Sequence, residues 1–311
     1  MPLFVAMAGG VGAARFLQGL LEVVSPEDLT VIVNTGDDFE IYGLYVSPDL
    51  DIITYTLAGL VDEGKGWGIK GDTFGFLDML SRYGYETWFR IGDRDLATHL
   101  HRTMLLRRGL RLSQVTADIC HRLGVQVRIL PMSDDPVRTM IRTEAGIMHF
   151  QEYLVKRGAK DAVLGVDFLG AKEAKPSPGV LEAIEEADGI IVCPSNPIVS
   201  IGAILSIYGI RQALRRTRAP VVAISPIIMG APVKGPADKL MRGLGLEVSA
   251  FSVASLYSDF LDTFIIDFRD SMLAKRIEGE LGIKVMVTDT LMTSLEAKKR
   301  LAEATLHSLR R

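Results

Sequence analysis

The chain is poor in the residues that build metal cages and covalent frameworks. Only two cysteines occur, Cys120 and Cys193. They stand far apart and in no C-x-x-C pair, which argues against a structural zinc site and for a reducing compartment. The five histidines form no metal-binding cluster, and His101, His121 and His307 read as structural. No apolar run approaches the length of a membrane span. The apolar start, residues 3–7, meets Gly9-Gly10 too soon for a signal-peptide core, so a cytoplasmic protein with no membrane partner is expected. A basic surplus is also missing: the formal net charge is -3, which gives no reason to expect nucleic acid. There is no fixed-period repeat and no low-complexity tract. What is present is 48% hydrophobic and 23% charged residues over 311 positions, enough for a large globular core.

That apolar content comes in short runs separated by helical periodicity. Strands are predicted at residues 3–7, Leu29–Val33, 87–91, 125–130, 162–168, 190–193, Val221–Ile224, 264–266 and 285–287. Helices are predicted at 16–24, from 52 onward, up to Ser81 behind an Asp72-Thr73 cap, and at 96–107, 113–123, 179–187, 236–242 and 294–309. Such alternation predicts an α/β fold, a Rossmann-like doubly wound, mostly parallel sheet. Residues 137–143 and 147–153 flank Glu144-Ala145-Gly146, a hairpin signal. A single domain over residues 1–311 is therefore expected, with 64–155 as a helical and hairpin insertion or cap.

Ligands of such sheets lie beyond the carboxyl ends of the strands. The first strand runs into Gly9, Gly10 and Gly12, followed by Arg15 and a helix, a geometry that aims backbone N–H groups at an anion. Arg15 replaces the third small residue of a dinucleotide fingerprint, and no Gly-Lys-Ser/Thr follows to make a Walker loop. A plain tight turn is the alternative. The second strand ends at Asn34-Thr35-Gly36-Asp37-Asp38, and Ser47-Pro48-Asp49-Leu50-Asp51 follows shortly. Singly, each aspartate is a turn former or helix cap. As a group beside the glycine turn, Asp37, Asp49 and Asp51 suit Mg²⁺, which takes oxygen ligands and bridges to substrate phosphates. Ser195 and Asn196 sit between prolines at another strand end, and Arg90 and Asp93 at a further one. Trp67, among glycines, is either a lid that stacks on a flat ligand or a cover over a helix end. With no Ser/His/Asp order and no thiolate environment, this rim favours phosphoryl transfer over hydrolytic acyl chemistry.

Taken together, Ala8-Gly9-Gly10-Val11-Gly12 with Arg15, Val33-Asn34-Thr35-Gly36-Asp37-Asp38, Ser47-Pro48-Asp49-Leu50-Asp51, Gly66-Trp67-Gly68, Ile91-Gly92-Asp93-Arg94-Asp95, His149-Phe150, Pro194-Ser195-Asn196-Pro197, Ser225-Pro226-Ile227 and Lys234-Gly235-Pro236-Ala237 carry a resemblance. The sequence resembles the 2-phospho-L-lactate transferase family, which builds the deazaflavin coenzyme F420 in archaea. The resemblance implies Mg²⁺-dependent transfer of the 2-phospholactyl group of lactyl-2-diphospho-5'-guanosine (LPPG) to the ribityl hydroxyl of the deazaflavin Fo, giving F420-0 and GMP. A bacterial variant of the family uses a phosphoenolpyruvyl donor; the motif set favours phospholactate. The resemblance further implies Mg²⁺ on Asp37, with Asp49 or Asp51 as further ligand or as base. The donor would be held by Gly9, Gly10, Gly12, Asn34, Thr35, Gly36, Ser195 and Asn196. Asp49, Trp67, Trp88, Arg90 and Asp93 would receive Fo, and the assembly would be a homodimer. Two rival readings are a non-enzymatic factor of the same superfold that binds nucleotide sugars, and an NAD-dependent oxidoreductase, against which Arg15 counts.

Overall fold

Seven short apolar runs make one parallel sheet in the computed structural model, which describes residues 2–310. They are β1 (Phe4–Ala8), β2 (Leu29–Val33), β3 (Arg128–Pro131), β4 (Gly189–Val192), β5 (Val221–Ile224), β6 (Thr263–Asp267) and β7 (Lys284–Thr288). Their order is β7-β6-β5-β4-β1-β2-β3, with every neighbouring pair parallel. The inner strands β4 and β5 are buried along their whole length, as parallel strands covered on both faces must be. Successive residues serve opposite faces. Met7, Ile32, Ile190 and Ile266 join one core, and Ala6, Val31, Ile191 and Ile265 join the other. The predicted doubly wound α/β sheet is the fold observed.

The chain winds outward through β1, β2 and β3, then returns to the other side of β1 for β4 and continues through β5, β6 and β7. Winding therefore reverses between β1 and β4. The segments leaving these two strands diverge there and open a crevice at the carboxyl edge of the sheet.

Three expectations change. Residues 87–91 form no strand. Trp88 and Phe89 instead pack on Phe39 of a small hairpin, Phe39–Ile41 with Leu44–Val46, so their aromatic bulk serves side-chain packing rather than a ladder. The strand expected at 162–168 exists as Val163–Leu169 but pairs antiparallel with Arg138–Thr143, in a separate three-stranded sheet completed by Gly146–His149. Finally β3, which falls inside the expected 64–155 insertion, is the edge strand of the central sheet. The added material is thus two pieces. One is the set of helices α3 (Gly75–Arg82), α4 (Asp93–Arg107) and α5 (Leu112–Arg122) before β3, and the other is the antiparallel sheet after it.

Two helices begin earlier than periodicity alone placed them. The helix α1 (Gly10–Leu20) starts inside the glycine turn. Helix α2 (Pro48–Leu57) opens with proline at its first position, so Asp49 and Asp51 lie in its first turn, where the helix dipole and free N–H groups favour carboxylates. No single helix among the described residues is long and apolar enough to cross a membrane.

Candidate active site

A cavity of about 1190 Å³ occupies the crevice at the switch point. Glycines let its walls meet. A Cβ on Gly9 would stand 2.7 Å from Asp49 Oδ2 and 2.7 Å from Ser200 Cβ, and one on Gly12 would stand 2.3 Å from the Pro194 carbonyl oxygen. The turn after β1, the start of α2 and the loop after β4 therefore approach more closely than any side chain permits. Gly10 has φ +71, a conformation glycine adopts without strain. The Gly9 N–H donates to Ser195 Oγ at 3.2 Å. Asn196 Oδ1 accepts the Ile198 and Val199 N–H groups at 3.0 and 3.2 Å, capping the turn of π-helix Pro197–Ile201. Gly9, Gly10, Gly12, Ser195 and Asn196 all line the cavity.

Asp37 and Asp49 line it too, at 3% and 7% exposure. Asp37 Oδ1 is buried with no hydrogen-bond partner among the described residues. Burial, and then the charge of Asp49, hold the Asp37 carboxyl well above the usual carboxylate range. Burial pushes Asp49 up to about 6, against the opposing hydrogen bonds from Asn34 and the Gly10 N–H. Two desolvated carboxylates, one raised further by the charge of the other and carrying an orphaned oxygen, form a site that a cation relieves. Mg²⁺ fits that donor set, because it commonly binds through one or two carboxylates and completes its shell with water and substrate phosphate.

Asn34, Thr35 and Gly36 do not line the cavity. Asn34 is wholly buried behind it, where Nδ2 donates to Asp49 Oδ2 at 2.9 Å and Oδ1 accepts the Gly36 N–H at 2.8 Å. It orients a carboxylate instead of touching a ligand. A Cβ on Gly36 would meet Thr139 Oγ1 at 2.7 Å, so this glycine serves packing against the antiparallel sheet.

Asp51 departs furthest from expectation. Two residues apart on an α-helix, Asp49 and Asp51 point about 200° apart. The Asp51 carboxylate faces α4, where Arg102 Nη1 donates to Oδ2 at 3.1 Å, Arg102 Nη2 donates to Oδ1, and His99 Nδ1 stands 3.6 Å away. It does not line the cavity, and its charge is matched by a buried guanidinium. Asp93 is likewise a staple: it accepts the Gly75 and Phe76 N–H groups at 3.0 and 2.9 Å and so caps α3. Asp38, next to Asp37, accepts from Ser47 Oγ at 2.7 Å and Tyr45 OH at 2.9 Å. Burial raises it to about 7.

The other part of the wall is more apolar and rich in aromatic rings. Trp67, Trp88, Phe89, Arg90, Phe150 and Leu154 all contribute. Trp88 stacks on Phe39 with centroids 6.1 Å apart, and the Arg90 guanidinium sits 4.2 Å from the Phe74 ring centroid. Cavity residues assigned no site role from sequence include Ser200, Gln151 and Lys298. Lys298 belongs to the C-terminal helix, Leu295–Ser308, which crosses α1 at Gly19; a Cβ there would lie 2.3 Å from the Lys298 carbonyl carbon. A glycine inside a helical pattern was the one available signal.

Switch-point cavity, glycine turn and paired carboxylates place the chain among the doubly wound α/β enzymes. Residues 4–303 match the profile of the family described as 2-phospho-L-lactate transferase CofD. The chain belongs to that family, whose transferases serve coenzyme F420 biosynthesis. It is 47% identical to the 2-phospho-L-lactate transferase of Methanosarcina mazei over 300 residues, covering 96% of this chain and 98% of that protein. It is 48% identical to the phosphoenolpyruvate transferase of Kitasatospora aureofaciens over 309 residues, covering 97% and 96%. A solved protein of the upf0052 family from Bacillus halodurans shares the fold, with TM-score 0.64 at 17% identity over 98% of this chain and 99% of its own. Membership in a transferase family displaces both the regulatory factor and the NAD-dependent oxidoreductase as readings.

Proposed function

We propose that the protein transfers the 2-phospholactyl group of LPPG to the ribityl hydroxyl of Fo, giving F420-0 and GMP, as a Mg²⁺-dependent homodimer in the cytoplasm. The observation that carries the reading is the Asp37–Asp49 pair: two buried, cavity-facing carboxylates without a cationic partner among the described residues, beside a glycine turn. A Mg²⁺ ion held by these two carboxylates supplies charge neutralisation at the donor diphosphate. The glycine turn and the first N–H groups of α1 receive phosphate oxygens. Ser195 and Asn196 add hydrogen bonds that fix the donor's orientation. Trp67 and Trp88 present flat apolar surface to the deazaflavin rings, and Arg90 meets its polar edge or ribityl chain.

With Asp51 committed to Arg102, Asp49 is the α2 carboxylate that faces the cavity, and the oxygen it does not give to the metal accepts the ribityl proton. The hydroxyl oxygen bonds to the phosphorus that carries the lactyl group. The bond from that phosphorus to the bridging oxygen breaks, and its electron pair leaves with GMP.

A second reading keeps the chemistry and changes the donor to its phosphoenolpyruvyl counterpart. It is favoured by the near-equal likeness to relatives named for each donor, at 47% and 48% identity. Mass spectrometry of the product formed from Fo with each synthetic donor decides between them, since the two products differ by one H₂. Conversion with LPPG that stops in EDTA is expected. No consumption of Fo with either donor in the presence of Mg²⁺ would overturn both readings.

A further inference from the structure

The same cavity carries three cationic side chains from distant parts of the chain: Arg15 on α1, Lys234 in the loop after β5, and Lys298 on the C-terminal helix. Lys298 has local compensation. Its Nζ donates to Gln18 Oε1 at 2.6 Å, and Gln18 Nε2 donates in turn to Glu63 Oε1 at 3.3 Å. Arg15 and Lys234 have none; neither makes a hydrogen bond or ion pair with any described residue. What reaches them is like charge. Partial burial of its stem, and then Arg15, lower the pKa of Lys234, whose side chain stays largely exposed at the cavity; burial lowers that of Lys298, and Arg15 adds to it. Gly66, at φ +71, brings the backbone of its loop up to the Lys234 ammonium: a Cβ there would stand 2.7 Å from Nζ. The loop that carries Trp67 thus lies directly on this ammonium.

Asp37 and Asp49 would already offset much of the charge of a divalent cation held by them, so such an ion would neutralise a polyanionic donor only in part. A donor of the proposed kind brings a diphosphate diester and a carboxylate, all anionic. The mutual repulsion of Arg15 and Lys234 is relieved by an anion lying between them.

We propose that Arg15 and Lys234 form an anion subsite that binds the phosphate of the departing nucleotide independently of the metal. The inference rests on the nucleotide-donor reading above and adds which residues meet the leaving group. As the phosphorus–oxygen bond breaks, the electron pair stays on the oxygen of the nucleotide phosphate. These two cations sit where that added charge is taken up.

The test is calorimetric titration of the full chain with GMP in EDTA at low salt, so that neither Fo, donor nor metal is involved. Arg15→Gln and Lys234→Gln are each expected to weaken GMP binding about tenfold, the size of one lost charge-assisted contact. The neutral nucleoside guanosine, which lacks the phosphate, should be indifferent to both changes, and added salt should erase the difference between wild type and variants. Asp37→Asn should leave metal-free GMP binding intact or strengthen it. Thermal melts check folding: removing one of two unpaired, mutually repelling cations should leave Tm unchanged or raise it. Undiminished GMP binding in the double variant, no GMP binding by wild type, or an equal loss of guanosine binding would each overturn the subsite. Failure of turnover with Fo alongside intact, Arg15-dependent GMP binding would instead strike the proposed reaction alone.

Discussion

Asn34 illustrates how a residue without access to the cavity can govern it. Both ends of its amide are engaged, one by Asp49 Oδ2 and the other by the Gly36 N–H. Asn34→Ala would remove the group that aims Asp49 and strand a buried N–H, which costs about 1–3 kcal/mol of stability. Loss of such an orienting partner also weakens metal affinity by about 10–100-fold. A Mg²⁺ titration of activity reads this directly, and an unchanged Mg²⁺ requirement would refute the assignment. The two aspartates of α2 should separate cleanly under the same substitution. Asp49→Asn should lower Mg²⁺-dependent turnover by about 100-fold or more while sparing stability, since a desolvated charge is removed. Asp51→Asn should leave Arg102 uncompensated and cost about 3–5 kcal/mol on denaturant unfolding, with the Mg²⁺ requirement of the folded fraction unaltered. If the two variants behaved alike, the division of roles along α2 would be wrong.

The elements that matter most at the site are α2 and the helix behind it. Beyond Asp51–Arg102, the Tyr55 hydroxyl donates to Asp95 Oδ1 at 2.7 Å, and His99 Nε2 lies 3.3 Å from the same oxygen. A buried polar seam therefore fixes the rotation of α2, and with it the direction of Asp49. On the opposite wall the contact is steric. Gly12→Ala would press a methyl group against the Pro194 carbonyl, 2.3 Å away, and force the β1–α1 turn from the loop after β4. A stability loss of about 1–3 kcal/mol is expected, with a higher KM for the donor and a kcat less affected. A Gly12→Ala protein with wild-type melting and KM would show that these two segments have slack.

For the molecule as a whole, proton linkage offers a measurement of how the antiparallel sheet seats on the rest. His149 ends that sheet, lies 5.5 Å from the Phe39 ring, and accepts the Gln151 N–H on Nδ1 at 3.2 Å. Burial, and then the charge of Arg138, lower its pKa to about 4. A histidine whose pKa falls on folding binds its proton more readily when unfolded. Its contribution is complete above the unfolded value near 6.5 and is lost as pH falls toward 4. The loss is on the order of 2–3 kcal/mol across that window. Asp37, Asp38 and Asp49, whose pKa values rise on folding, act in the opposite sense. The contribution of His149 is therefore read as the difference between wild type and His149→Gln in urea unfolding at neutral and mildly acidic pH. A difference that does not shrink on acidification would contradict it.

Much of this architecture is local in origin. Buried strands such as Leu29–Val33 and Val221–Ile224 are written as unbroken apolar runs, and the glycines at 9, 10 and 12 announce a turn where backbones crowd. Alternation of such runs with helical periodicity was sufficient for a doubly wound parallel sheet, and the motif density sufficient for the family. The sequence alone could not say that Val163–Leu169 would leave the central sheet while Arg128–Pro131 joined its edge, because strand pairing is chosen by distant partners. Nor could it distinguish Asp49 from Asp51. That choice depends on the phase of α2, which began earlier than its apolar pattern, and on a guanidinium arriving from α4. Arg15, Lys234 and Lys298 were brought to one cavity by tertiary packing alone. Hydrophobic periodicity records what a residue does within its own element; which charges end up facing one another is decided only when elements far apart in the chain are packed together.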